Sequence, residues 1–165
     1  MKSDVYWIKG SWPGKLAILA RPRGADWLDD EVAAWKEAGL NVVVSLLTPA
    51  EEYELGLIDE AKLAKRNGLS FISFPIADYS VPTSKKVTRQ LAGELKEQLL
   101  RGSVVGIHCR QGIGRSSLVA ACVLVTSGES PATAFQQIER ARGRAVPDTD
   151  EQTNWVSSFA YSNQD

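Results

Sequence analysis

The sequence predicts an α/β fold: a three-layer sandwich with a mostly parallel central sheet flanked by helices, in one domain spanning residues 1–165. Short β-branched and apolar runs, at 41–47, 69–74 and 104–107, alternate with longer stretches whose apolar residues return at helical spacing. No repeat, low-complexity tract or linker interrupts the 165 residues, a length that suits one domain with a sizeable core.

The elements follow in order. Leu16 to Ala20 is a short apolar run. Asp26 is placed to cap a helix through Ala38 that turns Trp27, Val32 and Trp35 inward and stops at Gly39. Asn41 to Leu47, rich in valine, is a strand buried on both faces. A helix is expected from Ala50 to Asn67, ended by Gly68, and then a strand from Leu69 to Phe74, broken by Pro75. Pro75 to Ser84, with a second proline at Pro82, reads as a loop. Ser84 to Arg101 forms an amphipathic helix with Val87, Leu91, Leu95, Leu99 and Leu100 inward, and Val104 to Ile107 is another buried strand. The next helix starts near Arg115 and runs through Leu118, Val119, Ala121, Cys122 and Leu124 to about Ser127. Ser130-Pro131 opens a helix to about Arg142, with serine as cap and proline at its first position. Asp148 to Glu151 has capping-box spacing and begins the last helix. Trp155 falls at a packing position in that helix, whereas Trp7 and Trp12 pin the N-terminal segment.

Composition excludes several classes of function. The net charge is −1, from 19 basic and 20 acidic residues, without the basic excess that nucleic-acid binding calls for. No segment is long enough to cross a membrane, and Leu16 to Ala20 is too short for a signal peptide. Two cysteines are too few for a disulfide framework or a structural zinc site, so a reducing, cytoplasmic setting is expected. Cys122 lies on an apolar helix face, beyond disulfide reach of Cys109, and reads as core.

The chemistry concentrates in His108-Cys109-Arg110-Gln111-Gly112-Ile113-Gly114-Arg115-Ser116-Ser117, which joins a buried strand to a helix. In open α/β sheets ligands sit beyond the carboxyl ends of the strands, which places this loop at the site. Five residues separate Cys109 from Arg115, and two of them are glycine. Without Cβ atoms, the N–H groups from Arg110 through Gly114 can turn toward one point and form an anion-binding nest. The following helix adds its unpaired N–H groups and the positive end of its dipole. A phosphate dianion fits this cradle. The same field favours the ionised sulfur, the form that attacks phosphorus. Arg115 offers a planar fork for two equatorial oxygens and for the charge spread in the transition state, which lysine cannot reproduce. Ser116 is placed to hydrogen-bond the departing sulfur, with Ser117 a second choice. An inert buried thiol would require none of these residues in register.

This loop resembles the signature of the cysteine-based protein tyrosine phosphatases in their dual-specificity branch: His, Cys, five residues, Arg, Ser. Phe74 to Asp78 with Pro82, and Arg142-Gly143 with Gln152, extend the likeness over roughly residues 42–159, and in combination look most like the cyclin-dependent-kinase-associated phosphatases. The resemblance implies a cysteinyl-phosphate intermediate at Cys109 and Asp78 as general acid on a mobile loop, later base toward water. It implies His108 as support for the loop and the thiol, and Gln152 as a residue that orients water. It implies no cofactor or metal. The expected partner is a phosphorylated protein carrying phosphotyrosine, and also phosphoserine or phosphothreonine, because so short a chain has little room for a long tyrosine-recognition loop. A monomer suffices for this chemistry.

Other readings compete. The same chemistry could serve phosphoinositides or an RNA 5′ phosphate, but the loop interior has only one basic residue, Arg110, and the net charge is near zero. A rhodanese-type sulfur transferase would leave Asp78 and the Gly-Arg-Ser helix start unexplained. A phosphoprotein-binding pseudoenzyme would need no nucleophile.

Overall fold

A computed structural model of the chain describes residues 4–162. Five strands, β1 (Val5–Ile8), β2 (Lys15–Leu19), β3 (Val42–Ser45), β4 (Ser70–Ser73) and β5 (Val104–His108), form one sheet in the order β1-β2-β5-β3-β4. β2, β5, β3 and β4 run parallel, and β1, which lies outside the expected elements, returns antiparallel to β2 at the edge. The α/β sandwich with a mostly parallel sheet is therefore the observed fold.

Among the described residues, seven α-helices cover the sheet: α1 (Leu28–Glu37), α2 (Pro49–Glu54), α3 (Glu60–Arg66), α4 (Lys85–Leu100), α5 (Arg115–Thr126), α6 (Pro131–Arg142) and α7 (Asp150–Tyr161). Every residue of β3 is buried, which is why its sequence is a valine run and not an alternation. One core joins the sheet to α4, α5, α6 and α7 through residues such as Leu95, Leu118, Ile138 and Val156. The other joins it to α1 and α3 through Val32, Trp35, Val43 and Leu63. α5 is central: Arg115 through Leu124 are all buried, Cys122 among them. Both cysteines are free, and burial pushes the Cys122 thiol far up.

β3, β4 and β5 end level, since Ser45 pairs with His108 on one side and Ser73 on the other. The pattern continues past the strand ends, where the Leu46 N–H donates to the His108 carbonyl (3.0 Å) and the Ile76 N–H to the Leu46 carbonyl (3.0 Å). The loops after β3, β4 and β5 thus emerge at one edge, with β5 in the middle.

Several local expectations are corrected. The helix expected from Ala50 to Asn67 is two helices, α2 and α3, separated at Gly56, whose φ of +70° cannot continue a helix and whose carbonyl accepts the Ala25 N–H. Asp26 does not cap α1. It lies in a short 3₁₀ turn (Ala25–Trp27), and Trp27 is exposed beneath the Arg23 guanidinium (4.3 Å). Val87 and Leu100 face solvent, because the inward stripe of α4 runs through Thr88, Leu91, Ala92, Leu95 and Leu99, one position away from each. The capping box of α7 is Thr149 with Gln152, leaving Asp148 and Glu151 outside it.

Candidate active site

The loop from Cys109 to Gly114 leaves the carboxyl end of the central strand β5 and turns directly into α5. α2, α4, α6 and α7 each begin under a hydroxyl cap, from Thr48, Ser84, Ser130 and Thr149. α5 begins at Gly114 with no side-chain cap, so its first N–H groups remain available to an anion. Gly112 adopts φ +71° and aims its N–H at the Cys109 sulfur (3.3 Å). Arg142 donates its Nε–H to the Gly112 carbonyl (2.8 Å) while its guanidinium lies over the Tyr6 ring (4.0 Å), tying the turn to α6 and β1. Cys109, Ile113, Ser116 and Ser117 are buried, Arg110 is half-buried and Gln111 is exposed. The hydroxyls of Ser116 and Ser117 have no hydrogen-bond partner among the described residues.

Arg115 is almost wholly buried and held in a fixed plane. Its two terminal nitrogens grip both oxygens of Glu51 (2.7 and 2.9 Å), and Nη1 also donates to the Ile76 carbonyl (2.8 Å). Nη2 pairs with Asp78 Oδ1 at 3.0 Å, while Nε has no hydrogen-bond partner among the described residues. Burial opposes the guanidinium's charge, but Glu51, the Cys109 sulfur and Asp78 outweigh it and push the Arg115 pKa up.

Sequence reasoning missed Glu51. Its signal was present: Thr48-Pro49-Ala50-Glu51 is a capping box, with the carboxylate reaching back to the Thr48 N–H (3.1 Å). The carboxylate that closes the cap also orients Arg115. Burial alone would raise the Glu51 pKa, yet the Arg115 and Thr48 hydrogen bonds prevail and hold it below the ordinary glutamate value. Because the folded value is the lower one, this stabilisation is present above the unfolded pKa and is lost as pH falls through the folded one. Glu51→Gln is expected to reduce the unfolding free energy by about 3–5 kcal/mol at neutral pH. In urea titrations at several pH values that deficit should shrink toward acid. A deficit independent of pH would contradict the pairing.

His108 turns away from the thiol side into the α1–α3 core, stacking on Trp35 (centroids 5.8 Å apart) with Nε2 2.6 Å from Glu60 Oε2. Both side chains are buried, so Glu60 fixes the strand end that feeds the loop. Glu60 lies 48 residues from His108 in sequence and carries no motif, which is why sequence reasoning did not find it. Outside the pocket floor, Arg110 pairs with Glu54 (3.0 Å).

Asp78 lies on the loop after β4, where its Oδ1 also accepts the Tyr79 N–H (3.0 Å). Gln152 is fully buried and latches that loop, donating from Nε2 to the Ser80 carbonyl (3.1 Å). Its Oε1 accepts the N–H groups of Asp148 (3.0 Å) and Thr149 (3.2 Å). Gly114 packs against this latch: a Cβ there would clash with the Asp148 carboxylate and lie 2.9 and 3.0 Å from the Gln152 amide atoms. The structure thus gathers Cys109, Arg115, Asp78, Gln152 and the glycine-containing loop at one sheet edge. Among the described residues no group of three or more His, Cys, Asp or Glu side chains is placed to hold a metal ion.

Comparison with known proteins gives concordant results. Residues 18–129 match the family model described as a polymorphic toxin system DSP-PTPase phosphatase. Human cyclin-dependent kinase inhibitor 3 is 29% identical over 126 residues, 75% of this chain and 59% of that protein. Protein tyrosine phosphatase PRL-1 of Leishmania major is 27% identical over 113 residues, 64% of this chain and 63% of that protein. The matched stretch therefore spans about three fifths of the length of these curated relatives. Among solved structures, kinase-associated phosphatase with its catalytic-site cysteine replaced by serine superposes with a TM-score of 0.88 at 23% identity, covering 96% of this chain and 94% of that one. Tk-PTP in its active form gives 0.76 at 25% identity, covering 96% and 97%.

Proposed function

The chain belongs to the dual-specificity protein tyrosine phosphatase family, and on that premise we propose that it is a cysteine-dependent phosphatase acting on phosphorylated proteins. The carrying observation is an uncapped helix start joined to a loop that holds Cys109 and Arg115. Cys109 attacks phosphorus and the P–O bond to the leaving group breaks, with Asp78 supplying the proton. The N–H groups from Arg110 to Gly114 and the Arg115 guanidinium hold the three equatorial oxygens. Water then cleaves the S–P bond of the cysteinyl phosphate, and the Ser116 hydroxyl, free of other partners, stabilises the departing sulfur.

Arg115 Nη2 pairs with Asp78, and a bound phosphate would compete for the same donor. Substrate binding therefore frees Asp78 to reach the leaving oxygen, and Glu51 keeps the guanidinium in plane throughout. Asp78→Ala is expected to lower kcat on an aryl phosphate roughly 10²-fold. The same change should tighten inhibition by vanadate, because the anion no longer displaces a carboxylate. Unchanged turnover in this variant would remove Asp78 from the mechanism.

Phosphotyrosine, with phosphoserine and phosphothreonine, is the favoured substrate class. Arg110, the one basic side chain inside the loop, pairs with Glu54 at the exposed rim, so the loop offers the extra phosphates of a phosphoinositide a single, already partnered cation. Assaying phosphopeptides against phosphoinositide vesicles tests this, and faster hydrolysis of the lipid would reverse it. The whole chain acts as one catalytic unit in a reducing, cytoplasmic setting, a reading supported by two free buried thiols and by a site assembled from β3 through α7.

A further inference from the structure

We propose that Asp148 is a second working carboxylate of this site and the base that takes the proton from the hydrolytic water. The inference deepens the phosphatase reading and rests on it. The family resemblance implies Asp78 as that base, its water oriented by Gln152. Its amide oxygen, however, already accepts two N–H groups, from Asp148 and Thr149, which fills both lone pairs. Its Nε2 is spent in part on Ser80. Gln152 is thus a latch, without an acceptor to offer water.

What the latch holds in place is Asp148. Its carboxylate lies where a side chain on Gly114 would begin, against the last residue of the loop before Arg115. Asp148 is exposed to solvent, and its carboxylate has no hydrogen-bond or ion-pair partner among the described residues, so both oxygens can accept from water. Asp78 Oδ1, by contrast, accepts the Tyr79 N–H even after a phosphate has taken its Arg115 donor. The charged groups facing Asp148 are Asp78, Arg115 and Arg144. Desolvation first, then the Asp78 charge, raise the Asp148 pKa against the pull of Arg144 and Arg115, making it a stronger base than an ordinary aspartate.

The step balances. Water oxygen forms a bond to phosphorus as the S–P bond breaks. The electron pair of that bond stays on the Cys109 sulfur, and the water proton passes to the Asp148 carboxylate. Asp78 retains the first half-reaction, the protonation of the leaving group.

Rapid-quench kinetics with p-nitrophenyl phosphate, together with intact-mass detection of the phosphoenzyme, separate the two halves. In Asp148→Asn, a burst of nitrophenolate at the wild-type rate should be followed by steady-state turnover reduced on the order of 10²-fold, with phosphoenzyme accumulating. The acid limb of phosphoenzyme breakdown, set by Asp148 titration in the wild type, should vanish in this variant. Asp148→Glu, which keeps a carboxylate, should recover most of the rate and carries the test if the asparagine variant melts early. A burst rate that falls while breakdown is unchanged, or an unchanged pH profile, overturns the assignment and leaves the phosphatase reading intact. Absence of any aryl phosphate hydrolysis by the wild-type protein overturns both.

Discussion

Cys109→Ser is expected to leave the protein folded and to reduce aryl phosphate hydrolysis by roughly 10⁵-fold or more. Serine is close to isosteric, and the Gly112 N–H that points at the sulfur can point equally at a hydroxyl. Position 109 belongs to the same buried core as Ile107 and Ile113, and an oxygen in place of the sulfur is smaller and does not overpack it. What changes is nucleophilicity. A hydroxyl must lose its proton during attack, and the nearest histidine cannot take it, since the His108 ring points into the opposite core toward Glu60. The cradle itself survives, so a phosphotyrosine peptide should still bind by calorimetry while releasing no phosphate. Turnover within tenfold of wild type would mean that another group performs the attack.

Arg115→Lys is expected to lower kcat/KM by roughly 10³–10⁴-fold and, separately, to destabilise the fold. The guanidinium serves Glu51 through two parallel hydrogen bonds, reaches the Ile76 carbonyl and Asp78, and has Nε and the Asp78-paired Nη2 donor to offer a phosphate. An ammonium is a single point with three donors and cannot satisfy both Glu51 oxygens and a phosphate together. Glu51, itself buried, would then keep its charge with a poorer partner, which costs stability. Kinetics on an aryl phosphate and urea unfolding measure the two losses independently. A lysine variant with near-wild-type kcat/KM would show that positive charge alone, without the planar fork, holds the phosphate.

The two coupled effects share one origin. Glu51 is both the N3 residue of the α2 capping box and the orienting partner of Arg115, so local helix chemistry and active-site geometry cannot be changed separately. Asp148 and Gln152 repeat the device at α7. There Gln152 closes the box with Thr149, latches the Asp78 loop and presents Asp148 against Gly114.

Sequence alone determined the alternation of strands and helices and the place of the loop that carries the proposed nucleophile and phosphate clamp. Those features are local: a buried strand declares itself by a β-branched run, and an anion nest by glycines ahead of a helix start. The break of residues 50–67 into two helices was less legible, because Gly56 adopts its conformation in order to meet Ala25 from a distant turn. The partners of the site were decided only by tertiary structure. Glu51 is 64 residues from Arg115, Glu60 is 48 from His108, and Gln152 is 72 from Ser80. A carboxylate's role depends on which buried cation or amide the sheet places beside it, and contacts between elements so far apart leave no periodic mark in the chain.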